Sequence, residues 1–159
     1  MASHVHAYEK AWMAGAAAQI LVFVGVIGWS AFAQGMYPPS RVETINPTTV
    51  YQDARFAKPG VSDLPDGGTQ VVVVAQIWSY VPGEIHVPAG RPVTFRITSP
   101  DVTHGFLVVR TNVNVMVVPG YVTQVTTTFP KPGEYLIVCD EYCGTGHHTM
   151  SGKLIVETP

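Results

Sequence analysis

Glu134-Tyr-Leu-Ile-Val-Cys139-Asp-Glu-Tyr-Cys143-Gly-Thr-Gly-His147-His-Thr-Met150 contains both cysteines of the chain. A β-branched apolar run leads into Cys139, and a second such run begins at Gly152. The pattern predicts two strands joined by a loop spaced Cys-x3-Cys-x3-His-x2-Met. Two thiolates, an imidazole and a thioether form a soft donor set, which selects copper(I), zinc or iron–sulfur over magnesium or calcium. Met150 tilts the choice to copper, because zinc and iron–sulfur sites rarely use a thioether. A mononuclear blue-copper site needs one thiolate, whereas two can bridge two copper ions. The spacing also permits a Cys139–Cys143 disulfide in an oxidising compartment, or a Cys2His2 zinc site that leaves Met150 idle.

Outward from the loop, the pattern from Gln70 onward is β. Val71–Trp78 is a continuous apolar run, as a buried strand requires. Arg91–Thr98 alternates, with Val93, Phe95 and Ile97 on one face. Phe106–Arg110, Asn114–Val118 and Tyr121–Phe129 follow as β-branched runs, then Glu134–Cys139 and Gly152–Thr158. Strands at short spacing with turn signals between them predict an all-β sandwich or barrel. In such a fold the loops cluster at the ends, which can bring His104, just after the strand Pro92–Thr98, to the ligand loop. That is the cupredoxin arrangement, with ligands on loops held by a rigid scaffold. His86, before Val87-Pro-Ala-Gly90, reads as a turn histidine. Met116, Met13 and Met36 read as core or membrane residues.

The N-terminal part differs in kind. No charged residue occurs from Ala11 to Ser40, and Ala11–Ala33 is long enough for the ~30 Å hydrocarbon core of a bilayer. Trp12 and Trp29 lie near its ends, where amphipathic rings prefer the interface. A retained membrane anchor is expected. Ala31-Phe32-Ala33 also has the small-x-small form of a signal cleavage site, but the apolar run exceeds a usual h-region. Lys10 before the helix and Arg41 and Glu43 after it leave its orientation unset. Gln34–Gly68 is rich in Pro, Gly, Asp and Thr, with turn dipeptides throughout. The organisation read from the chain is tail and transmembrane helix at 1–36, linker at 37–69, and β domain at 70–159. At 159 residues one domain plus a small extra element is expected. Only 13% of residues are charged, below the ~25% usual for soluble domains, and the net charge is −2. With no Lys/Arg cluster, a nucleic-acid partner is excluded.

The ligand loop resembles that of subunit II of heme–copper (cytochrome c) oxidases, written Cys-x-Glu-x-Cys-Gly-x-x-His-x-x-Met. Cys139, Glu141, Cys143, Gly144, His147 and Met150 meet its fixed positions. Ser99-Pro-Asp101-Val-Thr-His104-Gly-Phe106 resembles that family's Asp-Val-x-His segment and points to His104. The single anchor and short chain are similar to ba-type, B-family members. The resemblance implies a cupredoxin-like Greek-key domain after one transmembrane helix, and an electron-transfer subunit of a terminal oxidase. It implies two copper ions (a dinuclear CuA centre) bridged by Cys139 and Cys143. His104 and His147 supply one imidazole each; Met150 and the Glu141 main-chain carbonyl are weak axial donors. Glu141 is also a magnesium-ligand candidate at the boundary with subunit I. Trp78, in Gln76-Ile-Trp78-Ser-Tyr80, aligns with the aromatic stretch that takes electrons from cytochrome c or a small copper protein; its other reading is a strand-end core tryptophan. His147 is the implied exit toward the heme-bearing subunit I. The implied location is the plasma (inner) membrane, with the C-terminal domain on the outer, periplasmic side. A CuA subunit of a nitric-oxide reductase and a stand-alone membrane copper-binding protein are the alternative functions.

Overall fold

The computed structural model describes residues 2–34 and 43–158. They form two compact units, divided near position 41. The first is one α-helix, α1 (Ala2–Gln34). Its segment His6–Ala33 is long and apolar enough to cross a membrane. Ile20, Leu21, Val22, Phe23 and Val24 are consecutive, so they point around the whole helix, and all are exposed. A helix that is apolar and exposed all round is built to face lipid. Met36 lies outside the described residues.

The second unit contains eleven strands: β1 (Glu43–Thr44), β2 (Gly60–Asp63), β3 (Thr69–Gln76), β4 (Ser79–Val81), β5 (Glu84–Pro88), β6 (Pro92–Thr98), β7 (His104–Val108), β8 (Asn114–Val117), β9 (Tyr121–Thr128), β10 (Gly133–Val138) and β11 (Ser151–Glu157). One sheet runs β1-β9-β6-β3-β2, with β4 also on β3; the other runs β5-β11-β10-β7-β8. The β3/β6 and β5/β11 pairs are parallel and the rest antiparallel. This is a cupredoxin-like sandwich. Its core is built from alternate residues of both inner faces: Val71, Val73, Phe95 and Ile97 from one sheet, Ile85, Phe106, Ile137 and Leu154 from the other, none exposed. Phe106 lies at 5.5 Å from both Phe95 and Tyr80, edge-on to the latter.

Residues 43–56 explain why β3 is apolar without alternation. A 3-10 helix, Pro47–Gln52, starts from Asn46, whose side chain accepts from Thr48 N, with Pro47 in the first turn. Ile45, Val50 and Phe56 then pack with Val72, Val74 and Val122 in a second apolar cluster. In a period-2 strand, Val72 and Val74 point away from Val71 and Val73. β3 is therefore buried on both faces. An ion-pair network pins the strap down: Glu43 bonds Arg55 and Arg96, and Arg55 Nη2 meets Asp53 Oδ2 at 2.6 Å.

Two sequence expectations change. His86 is not in a turn but on the exposed face of β5, between buried Ile85 and Val87. Its ring bridges Glu157 at 2.7 Å and Glu84 at 3.0 Å. Met116 is not a core residue: it sits on the solvent side of β8, because Val115 and Val117 take the inward positions.

Candidate metal centre

Strand order brings the site together. β10 lies between β11 and β7, so the β10–β11 loop emerges at the end of the sheet where β7 begins. The pairings Val138↔Ser151 and Val138↔Leu107 fix that register. Cys139 follows β10 directly, and His104 is the first residue of β7. The loop closes through Cys139 N donating to Met150 O at 3.3 Å. Gly144 turns it at φ +114°, a conformation suited to glycine.

Cys139 Sγ lies 3.7 Å from Cys143 Sγ, far beyond the ~2.05 Å of a disulfide, and both thiols are free. Cys143 Sγ is 3.6 Å from His147 Nδ1 and 3.8 Å from Met150 Sδ. Cys139 Sγ is 3.2 Å from the Glu141 carbonyl oxygen, to which it donates. Donor atoms of His104, Cys139 and Cys143 lie within 4.8 Å of one another, and all three residues are buried. Burial pushes the Cys143 thiol up to about 11, with its hydrogen bond to Cys139 the next cause. His148 is exposed.

His104 is fully buried, and its two ring nitrogens differ. Nε2 meets Asp101 Oδ1 at 2.8 Å, while Nδ1 is a buried polar atom with no hydrogen-bond partner among the described residues. Leaving such an atom unpaired costs about 1–3 kcal/mol. A metal ion among the sulfurs would take up that lone pair, and the carboxylate on the opposite nitrogen fixes the required tautomer. Three sulfurs and two imidazoles fit copper.

Sequence reasoning missed the contacts by which several residues shape this site. Asp101 accepts from His104, from Ser99 Oγ at 3.0 Å, from Val102 N at 2.7 Å and from Ile77 N at 2.7 Å. Burial works against its charge, but these bonds outweigh it and hold the carboxyl below its ordinary pKa. The i, i+3 spacing of Asp101 and His104 was the available signal. Gly105 donates its N–H to Cys139 Sγ at 3.3 Å and accepts from Tyr80 OH at 2.6 Å. No sequence signal marks that contact. Trp78 is 39% exposed, in the turn between β3 and β4. Its indole Nε1 donates to Cys143 O at 3.2 Å. It is neither a core tryptophan nor a detached surface one.

Residues 64–158 match the family of the cytochrome c oxidase subunit II periplasmic domain. The chain belongs to that family. Cytochrome c oxidase subunit 2 of Thermus thermophilus is 43% identical over 155 residues, covering 95% of this chain and 92% of the relative. A chain in a cryo-EM structure of a heme–copper terminal oxidase dimer superposes with TM-score 0.71 at 32% identity, covering 94% of this chain and 99% of that one. The periplasmic domain of subunit II from Bradyrhizobium japonicum, at TM-score 0.52 and 19% identity over 56% of this chain and 83% of that one, shares the fold. This subunit II is thus an electron-transfer subunit of a heme–copper oxidase, anchored to a membrane by α1.

Proposed function

We propose that this subunit II holds a dinuclear CuA centre and relays electrons from a soluble donor to the heme-bearing subunit of a terminal cytochrome c oxidase. Cys139 and Cys143 would hold both ions through their thiolates. His104 and His147 would supply the imidazoles, and Met150 and the Glu141 carbonyl the weaker donors. Bound copper supplies one-electron redox chemistry. The chain's own contribution is rigidity: donors on a loop fixed at both ends need to move little when charge changes, which keeps electron transfer fast. The sulfur donors and His104 are buried, which keeps substrate from them. Oxygen reduction and its coupled proton pumping therefore belong to the partner.

Trp78 and Ile77, both partly exposed beside the loop, form the face that touches cytochrome c or a small copper protein. The acids near that face are few, so docking there is mainly apolar and its salt dependence shallow. His147 is the exit toward subunit I. The Glu141 carboxylate, without a hydrogen bond among the described residues, is free to share a magnesium ion with that subunit. The β domain lies on the periplasmic side. The parts of the chain are the anchor at 1–36, the connecting segment at 37–69, whose residues 43–63 strap the β unit, and the cupredoxin domain proper at 70–159.

The observation that carries this reading is the orphaned His104 Nδ1 beside paired thiols and a thioether. The test is copper stoichiometry and EPR of the full chain in detergent. Two coppers per chain and one unpaired spin shared by two nuclei are expected, with the shared spin lost in Cys143→Ser. A hyperfine pattern from one nucleus in the wild type would overturn it.

A further inference from the structure

The candidate ligands come from two separate segments, the start of β7 and the β10–β11 loop. The three sulfur donors and His104 are closed to solvent, at 0% exposed for His104, 2% for Met150, 5% for Cys143 and 7% for Cys139, while His147 is half-buried. Something must therefore move for a metal ion, or any thiol reagent, to reach the sulfurs. A third element lies across both segments. The turn Ile77–Trp78 belongs to the opposite sheet, and it bonds to each of them. On one side Ile77 N donates to Asp101 Oδ2, while Oδ1 of the same carboxylate holds His104 Nε2. On the other side Trp78 Nε1 donates to Cys143 O, and the indole packs against the loop. A Cβ added at Gly146 would fall 2.3 Å from Trp78 Cδ2, and one at Gly144 3.3 Å from Nε1. Yet the turn is only partly buried, since Ile77 is 47% and Trp78 39% exposed. A partly exposed element tied by a few hydrogen bonds and one packed ring opens at lower free energy than the core.

We propose that the Ile77–Trp78 turn is a clasp that closes the two ligand-bearing segments on each other. Asp101 and Trp78 are its positioning residues, and its opening sets how fast the site takes up and releases a soft metal ion. This is separate from contact with an electron donor. The metal-release half rests on the copper reading; the thiol-access half does not.

The experiment labels Cys139 and Cys143 of the reduced, metal-free full chain in detergent with the disulfide reagent DTNB. Asn at position 101 offers one accepting oxygen where Asp offers two. Either Ile77 N or the His104 side then meets an amide N–H. A hydrogen bond to a charged group is lost, so Asp101→Asn should label ~10–100-fold faster than wild type. Trp78→Phe keeps a ring over Gly146 but loses the neutral N–H donor, so ~2–10-fold is expected, with Trp78→Ala faster still. Copper release from the loaded chain to excess copper(I) chelator should follow the same order. Unchanged labelling in both Asp101→Asn and Trp78→Phe overturns the clasp. So does a rise that merely tracks a fall in the urea unfolding midpoint, because global unfolding would then expose the thiols. A chain that binds no copper but keeps the labelling order sinks the copper reading and leaves the clasp standing.

Discussion

Gly105→Ala tests whether the ligand loop really leans on β7. A Cβ at that position would lie 1.9 Å from Asp140 Oδ1, 2.7 Å from Asp140 N and 2.9 Å from Glu141 N. The Asp140 side chain can swing away. The two backbone nitrogens cannot, because they sit in the peptide chain that carries Cys139 and the Glu141 carbonyl. Gly105 has no positive φ, so alanine brings no backbone strain and any effect is steric. Overpacking of this kind costs ~1–3 kcal/mol. Pushing the loop out also stretches the Gly105 N–H contact to Cys139 Sγ, and the Tyr80 OH bond to Gly105 O if β7 shifts instead. Each such bond contributes ~0.5–1.5 kcal/mol. The expected loss is about 2–4 kcal/mol in urea unfolding of the full chain, together with substoichiometric copper. Gly83→Ala is the control, since its Cβ would meet only Tyr80 O at an ordinary 3.6 Å. That variant should stay within ~0.5 kcal/mol of wild type. A Gly105→Ala chain with wild-type midpoint and full copper loading would show that the loop does not rest on β7 as described.

Phe56→Ala removes the largest buried side chain of the strap and should destabilise by ~3–5 kcal/mol in urea, with hydrogen exchange rising first in residues 43–56; uniform exchange across the domain would contradict a separate second cluster. His86 is held above its ordinary pKa of 6.5 by its hydrogen bond to Glu157 first and to Glu84 second. A raised folded pKa contributes stability that is full below 6.5 and disappears as pH rises through the raised value. The urea midpoint should therefore fall as pH increases from 6.5, and His86→Gln should flatten that slope; equal slopes in the two chains would rule out the bridge.

Local patterns carried most of what the sequence revealed. The donor loop is legible because Cys139, Cys143, His147 and Met150 lie within one turn of chain, and their chemistry depends on identity and spacing. The sandwich is legible where one face is wet: Val93, Phe95 and Ile97 alternate and are all buried. His86 went astray because a following Pro-Ala-Gly suggested a turn, although Ile85 and Val87 on either side already carried the strand period. The strap at 43–56 was harder. Its proline and threonine content reads as linker, and its burial depends on the second face of β3, which only the assembled sheet exposes to it.

The residues that were illegible share a physical property: their role is set by what lies across space. Trp78 bonds a carbonyl 65 positions away and Ile77 a carboxylate 24 away. Gly105 is small because Asp140 passes beside it, and Gly146 because Trp78 covers it. None of these donates to a metal. The donors determine which ion the site prefers, since softness belongs to sulfur and imidazole. How closely two separate segments are held around that ion depends on Asp101 in the β6–β7 loop, Gly105 on β7 and Trp78 in the β3–β4 turn. Affinity and exchange rate are therefore separable properties here. Replacing a donor changes the metal chosen, whereas replacing Asp101 or Trp78 should leave the choice intact and alter only how readily the site opens.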